Sequence, residues 1–152
     1  MCKKRIWLSN TCNFLSVVKK RDLNGNEVSS VLNKYSKQYG KQYITDKCDD
    51  TCWNSDQGSP QWIQLDFPRL VSLEELHIQF QGGFAGKESW IEIRDGDDMG
   101  KVQSIYPEDN NSLQIFSLPK KCTNCLRVVF NSSTDFFGRV IVYKLDIIGN
   151  YI

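Results

Sequence analysis

The stretch that decides the fold is Gln61-Trp62-Ile63-Gln64-Leu65-Asp66-Phe67. In an extended chain Ile63, Leu65 and Phe67 lie on one face, and the polar side chains of Gln64 and Asp66 lie on the other. Alternation with a period of two is typical of a strand that buries one face and turns the other to water. We therefore predict a β-strand here, with its apolar face in a core.

The same alternation recurs along the rest of the chain. It is present in residues 76–80, 90–94, 126–130 and 140–147. Turn-forming segments separate these runs, at residues 58–60, 81–83, 95–98, 107–111 and 131–135. Short strands at this spacing, with only a poor helical pattern at residues 34–40, indicate an all-β sandwich or barrel.

The chain has the size and composition of one globular domain. It contains 152 residues, of which 40% are hydrophobic and 24% charged, and both fractions are ordinary. The net charge of +1 gives no indication of a surface that neutralises nucleic-acid phosphates. No run approaches the ~20 apolar residues of a membrane-spanning helix, and residues 6–18 are too interrupted for a signal peptide. We expect an intracellular protein with no direct nucleic-acid or membrane binding.

The N-terminal part differs from the rest. A turn-rich segment at residues 22–26 separates residues 1–27, an arm that can add one edge strand, from the main domain at residues 28–152. The arm carries the basic triplets Lys3-Lys4-Arg5 and Lys19-Lys20-Arg21. These are either a two-part nuclear import signal or simply solvated basic residues.

Signatures of catalysis are missing from the sequence. It contains no G-x-S-x-G, no Gly-rich phosphate loop and no H-E-x-x-H, which are the motifs of common hydrolases and nucleotide enzymes. His77 is the single histidine, and it falls on the polar face of an alternating run. We therefore predict a protein that is not an enzyme.

Six cysteines raise the question of a metal. Cys48 and Cys52 form a C-x3-C pair, and Cys122 and Cys125 form a C-x2-C pair. Four thiolates could hold a structural zinc if the fold brought the two pairs together. The alternative, which the sequence favours, is a set of reduced or half-buried thiols.

Several motifs resemble those of discoidin domains, also called coagulation factor type C domains. They are a serine pair at Ser29-Ser30, an acidic turn leading to Thr51-Cys52-Trp53, the strand at residues 62–67, and a closing segment from Phe137-Gly138-Arg139-Val140 to Ile148-Gly149. The resemblance covers residues 28–149. It implies a galactose-binding-like jelly-roll β-sandwich of about eight to nine antiparallel strands.

Four blocks resemble more specifically an intracellular branch of this family that is associated with nuclear receptors. They are residues 51–58, 79–84, 106–114 and 134–140. The resemblance implies a monomeric, non-catalytic protein-interaction module of the nucleus and cytoplasm that represses nuclear-receptor-dependent transcription. Its partner would be a nuclear receptor or another intracellular complex, and no cofactor would be required.

Two alternatives remain open from the sequence. One is a carbohydrate- or phospholipid-binding module, whose export would expose the sequons at Asn110-Asn111-Ser112 and Asn131-Ser132-Ser133 to glycosylation. The other is an adaptor subunit of a ubiquitin-ligase or ciliary transport complex.

Ligand contacts are expected in loops at one end of the sandwich, because rigid strands present such loops to partners. Amides offer donors and acceptors, aromatic rings offer apolar area, and Arg139 offers a planar fork for carboxylates. The candidate binding residues are Asn54, Asp56, Gln57, Phe84, Asn110, Asn111, Asp135, Phe137 and Arg139. Arg139 could instead pair with Asp135 or Asp56. We expect Trp53 in the core, and Phe136-Phe137 with one ring turned inward.

A structural calcium site is a further hypothesis. The resemblance implies one at Asp46, Asp49 and Thr51. Calcium needs 6–8 oxygen ligands, and Lys47 lies inside this turn.

Overall fold

The computed structural model describes residues 25–152. Residues 1–24, which include both basic triplets and most of the expected arm, lie outside the described part of the chain. The strands are β1 Glu27–Val28, β2 Trp53–Asn54, β3 Gln61–Phe80, β4 Gly86–Asp95, β5 Asp98–Ile105, β6 Leu113–Ser117, β7 Cys122–Ser133 and β8 Ile141–Tyr151. Residues 25–152 contain one short helix, α1 Ser36–Tyr39, which lies between 3-10 turns at Leu32–Lys34 and Lys41–Tyr43.

The all-β prediction is confirmed, because strands form most of the regular structure in residues 25–152, and their pairings are antiparallel. The strands follow the order β2-β8-β3-β7-β4-β5, and β1 and β6 also pair with β3. The helical segments provide no span long and apolar enough to cross a membrane in the part of the chain that the structure describes.

Strand β3 joins the two layers of the sandwich. Its first part pairs with β7, and from Val71 onward it pairs with β8. The β7 pairing shifts in register between Asp66 and Val71, and Pro68 lies in this irregular segment. Proline cannot donate to a ladder, so within strands it is found at edges and bulges. The shift lets one continuous strand serve both layers.

The predicted inward residues form the core. Ile63, Leu65 and Phe67 are 0%, 1% and 8% exposed, as the alternation predicts. Phe80 and Phe130 pack edge to face with ring centroids 5.6 Å apart, an arrangement that aromatic quadrupoles favour. Trp53 is fully buried, as expected, and its indole N–H donates to the Ser30 carbonyl at 2.9 Å.

Candidate functional site

Four loops meet at one end of the sandwich, and we call residues 53–60, 81–85, 106–112 and 134–139 the loop end. The antiparallel topology collects them, because β3 and β5 finish at this end, while β6 and β8 begin here. β4 also begins here, and its pairing with β7 brings the end of β7 alongside. The expected convergence of these loops is therefore present in the fold.

The first and last loops touch through two glycines. The Gly58 N–H donates to the Phe137 carbonyl at 2.8 Å. A Cβ placed on Gly138 would lie 2.7 Å from the Gly58 carbonyl oxygen, and Gly138 has a φ of +85°. Both the close approach and the left-handed backbone require glycine.

The serine pair of the resemblance fixes the first loop from below. Ser29 and Ser30 both donate their hydroxyls to the Gln61 side-chain oxygen. The Gln61 amide in turn donates to the Asp56 and Gly58 carbonyls at 3.1 and 2.9 Å. Because Gln61 is 4% exposed, these bonds are shielded from water and hold the loop firmly.

The second, third and fourth loops are tied by one carboxylate and one amide. Asp109 accepts from the Gly83 N–H at 2.7 Å and from the Thr134 hydroxyl at 3.2 Å. Asn111 accepts from the Gly82 N–H at 2.6 Å. Sequence reasoning did not single out Asp109 or Thr134. The available signal was the Gly82-Gly83 pair, since a glycine turn leaves backbone N–H groups outside the strand ladders.

Arg139 is engaged within the protein. Its Nε lies 3.4 Å from the Asp135 Oδ2, and the same oxygen accepts from the Arg139 backbone N–H at 3.0 Å. Its guanidinium also lies 4.9 Å from the centre of the Phe84 ring. Of the two predicted partners, Asp135 is therefore the one that Arg139 uses. The Arg139 guanidinium could bind a ligand carboxylate only if its contacts with Asp135 and Phe84 opened.

The two phenylalanines differ from expectation. Phe136 is 94% exposed and Phe137 is 57% exposed, so the prediction that one ring turns inward is wrong. The rings pack against each other edge to face, with centroids 5.4 Å apart. The close contact at Gly138 keeps this segment outside the core, which leaves a large apolar surface in water.

The other candidate residues divide by exposure. Gln57 and Asn111 are exposed, whereas Asp56, Phe84, Asn110 and Asp135 are half-buried. Asn54 is only 7% exposed because it belongs to β2, which pairs with β8. The prediction that the Asn54 side chain contacts a partner directly is therefore wrong.

The cysteines do not assemble into a metal centre within residues 25–152. No group of three or more His, Cys, Asp or Glu side chains there is arranged to hold an ion. Cys52, Cys122 and Cys125 are free thiols, but Cys48 is not a free thiol, so that part of the reduced-thiol interpretation is wrong. Burial, followed by the neighbouring Asp66, raises the pKa of Cys125 to about 12.

The calcium hypothesis stays a prediction. The Asp46 carboxylate accepts from the Thr51 hydroxyl and from the Cys48 backbone N–H. Asp49 is paired with the Lys144 ammonium. A calcium ion would therefore have to replace these internal partners.

The single histidine lies away from the loop end, on the face shared by β3 and β8. Its Nε2 is 2.6 Å from a Glu75 carboxylate oxygen, and Asp146 lies opposite it on β8. Burial raises the pKa of Asp146, while Lys47, His77 and Lys144 act in the opposite direction. The ionisable side chains of this face therefore interact with one another, and we interpret them as a structural cluster.

Comparison with solved structures supports the jelly-roll fold. The chain is similar to a carbohydrate-binding module of family 32 from Clostridium perfringens, solved with GalNAc-β-1,3-galactose. The TM-score is 0.69 at 14% identity, covering 80% of this chain and 92% of the module. It is also similar to the C-terminal domain of a chitobiase from Bacteroides fragilis. That TM-score is 0.73 at 13% identity, covering 92% and 99% of the two chains.

Curated relatives carry the identification further, although no family model matches the chain. The chain is 52% identical to the nuclear receptor 2C2-associated protein of Danio rerio over 124 residues, 80% of this chain and 88% of the relative. It is 48% identical to the proteins of that name from Mus musculus and Homo sapiens, over the same shares. Identity at this level over most of both chains establishes common ancestry, and the chain belongs to the nuclear receptor 2C2-associated protein family.

Proposed function

We propose that this protein is a non-catalytic interaction module that binds a nuclear receptor through its loop end and represses receptor-dependent transcription. The observation that carries the proposal is the exposed pair Phe136 and Phe137, mounted on loops that hydrogen bonds tie together. Exposed aromatic side chains on a rigid base are typical anchors of protein interfaces.

The rigidity of the base supports binding of a folded partner. Hydrogen bonds donated by Gly58, Gly82, Gly83 and the Thr134 hydroxyl together connect all four loops. A surface that is already ordered loses little conformational entropy when it binds, so more of the contact energy appears as affinity. The names of the relatives make nuclear receptor 2C2 the first partner to test.

The proposal that the protein is not an enzyme rests on what the loop end contains. Three of its five charged side chains already have internal partners, since Asp109 ties loops together and Asp135 pairs with Arg139. His77 lies on a β-strand face beside Glu75, outside these loops. A general acid or base would have to lie within reach of a bound substrate.

The test is a direct binding measurement between the full chain and full-length nuclear receptor 2C2. Phe136→Ser removes an apolar side chain that makes little internal contact, so the fold should be retained. We expect it to weaken binding at least about tenfold, as loss of an aromatic anchor does at other interfaces. Isothermal titration calorimetry measures the dissociation constant of each variant.

Ile152→Ser is the matched control. Ile152 is also a large apolar residue, 66% exposed, but it follows the far end of β8 and contacts Leu70. Equal affinities for the Phe136 variant, the control and the wild type would reject the loop end as the binding surface. Absence of any binding by the wild-type chain would reject the receptor as its partner.

Repression and location follow from the same proposal. We propose that the protein is a monomer that acts in the nucleus and cytoplasm. In cells carrying a receptor-driven reporter, the wild-type chain should lower reporter output and Phe136→Ser should not. A tagged chain that imaging finds only in the secretory pathway would contradict this location and favour the carbohydrate-binding alternative.

A further inference from the structure

The loop end is acidic, although the whole chain is slightly basic. Its four loops contain the carboxylates of Asp56, Glu108, Asp109 and Asp135 and a single cation, Arg139. The loop end therefore has a net charge of −3, whereas the chain has +1. The compensating positive charge belongs to residues outside these four loops in the sequence.

The negative charge is not cancelled locally. Asp135 pairs with Arg139, which neutralises both groups. Within residues 25–152, Asp56, Glu108 and Asp109 form no ion pair with a lysine or arginine. Glu108 and Asp109 are exposed and Asp56 is half-buried. Three carboxylates thus lie on the same loop end as Phe136 and Phe137 and give it a negative potential.

We propose that the surface which receives Phe136 is a basic protein surface, an apolar pocket bordered by lysine and arginine side chains. This inference rests on the proposed function and specifies the chemistry of the partner. Carboxylates around an apolar anchor attract cations and repel phosphate, so they select against nucleic acid and anionic membranes. An exposed phenylalanine pair alone would fit a lipid surface as well as a protein.

The electrostatic part is tested with a double variant, Asp56→Asn with Glu108→Gln. Both substitutions are isosteric, and the new amide oxygens can still accept from the Gln57 N–H and from the Asn110 side chain. Asp109 is left unchanged because it ties its own loop to two others. We expect the double variant to bind full-length nuclear receptor 2C2 about fivefold or more weakly at about 50 mM NaCl, and within about twofold of wild type at about 500 mM.

The matched control is Asp97→Asn with Asp98→Asn. These two carboxylates are exposed in the β4–β5 hairpin, at the far end of β4. At ~3.3 Å per residue, that strand places them roughly 30 Å from the loop end. The control should bind like wild type at both salt concentrations.

The outcomes separate the inference from the proposed function. If Phe136→Ser weakens receptor binding but neutralising the carboxylates does not, the loop end binds the receptor and the basic-surface inference is wrong. Tighter binding of the double variant would also overturn it. So would binding of the wild type to a DNA duplex, or to vesicles of equal parts phosphatidylcholine and phosphatidylserine, that Phe136→Ser abolishes.

A second measurement does not depend on the receptor. The ¹⁵N-labelled protein is titrated with a peptide of alternating lysine and leucine, and with the corresponding glutamate–leucine peptide. We expect amide shifts confined to the loop end with the lysine peptide and none with the glutamate peptide. Shifts that are scattered over the molecule, or that centre on the β4–β5 hairpin, would contradict the inference even if the receptor binds.

Discussion

Gly138 and Gly83 adopt almost the same left-handed backbone in very different surroundings. Their φ angles are +85° and +88°. A side chain on Gly138 would collide with the Gly58 backbone, whereas nothing lies within 4 Å of the position of a Cβ on Gly83. The pair therefore separates the cost of the backbone conformation from the cost of close loop contact.

We expect Gly83→Ala to lower the free energy of unfolding by about 1 kcal/mol, the cost of a left-handed non-glycine residue. Gly138→Ala should lower it by at least about 1 kcal/mol more, because the Gly58 segment must move. Urea unfolding followed by circular dichroism measures both. Equal losses for the two variants would mean that the loops are not in tight contact.

The two cysteines of the C-x2-C pair should differ in reactivity. Cys122 is exposed, whereas Cys125 is fully buried with its pKa raised to about 12. Since the thiolate is the reactive form, iodoacetamide at pH about 8 should modify Cys122 and leave Cys125 unmodified in the folded protein. Mass spectrometry of the peptides gives the ratio, and labelling in denaturant is the control.

The raised pKa of Cys125 also makes the free energy of unfolding depend on pH. A thiol whose pKa rises on folding stabilises the native state while the unfolded thiol is still protonated. This contribution is present below pH 9.0 and is lost as the pH rises toward about 12. Rapid labelling of Cys125 in the native state would contradict its burial.

At the scale of elements, β3 shows how far sequence alternation reaches. Residues 61–67 and 76–80 were predicted as two strands, but the structure has one strand from Gln61 to Phe80. Pro68 and the charged residues after it interrupt the alternation. Pairing with β7 and β8 keeps this segment extended, and such long-range pairing cannot be read from local sequence.

Strands β5 and β6 were missed for a related reason. In the described chain, β5 pairs only with β4 and β6 pairs only with β3. Leu113 and Ile115 are 50% and 58% exposed, because β6 turns the partly buried Phe116 toward the core instead. Edge strands with polar or mismatched faces carry a weak alternation signal.

Hydrogen exchange should reflect this difference between strands. Residues 75–79 of β3 have neighbours on both sides, so we expect their amides to exchange through global unfolding. The outward amides of β5 should exchange at least about 100-fold faster, because edge amides open locally. Exchange followed by NMR tests this, and equal protection in the two strands would indicate that β5 is covered.

At the scale of the whole molecule, the sequence predicted the architecture better than the surface. Alternating strands and turn segments were enough to predict a sandwich, and the grouping of four loops at one end was an inference from that fold. The burial of Asn54 and the exposure of both phenylalanines depend on the β2–β8 pairing and on the Gly58–Gly138 contact. Both are tertiary contacts, so residue type alone could not indicate them.

Charge distribution is likewise a property of the folded chain. The composition gives only a net charge of +1. The antiparallel topology brings together loops whose carboxylates are far apart in sequence, and Arg139 is the one basic residue that these loops contain. Electrostatic steering depends on this spatial arrangement and not on the total charge.

The hydrogen bonds that Asp109 and Asn111 accept from the Gly82-Gly83 pair also limit how this scaffold can be engineered. A library that randomises residues 106–112 freely would remove the acceptors on which residues 81–85 depend. In many of its members both loops would lose their native conformation. Diversity is better introduced at Gln57, Phe136 and Phe137, whose side chains face solvent. New specificities would then be selected without rebuilding the support beneath them.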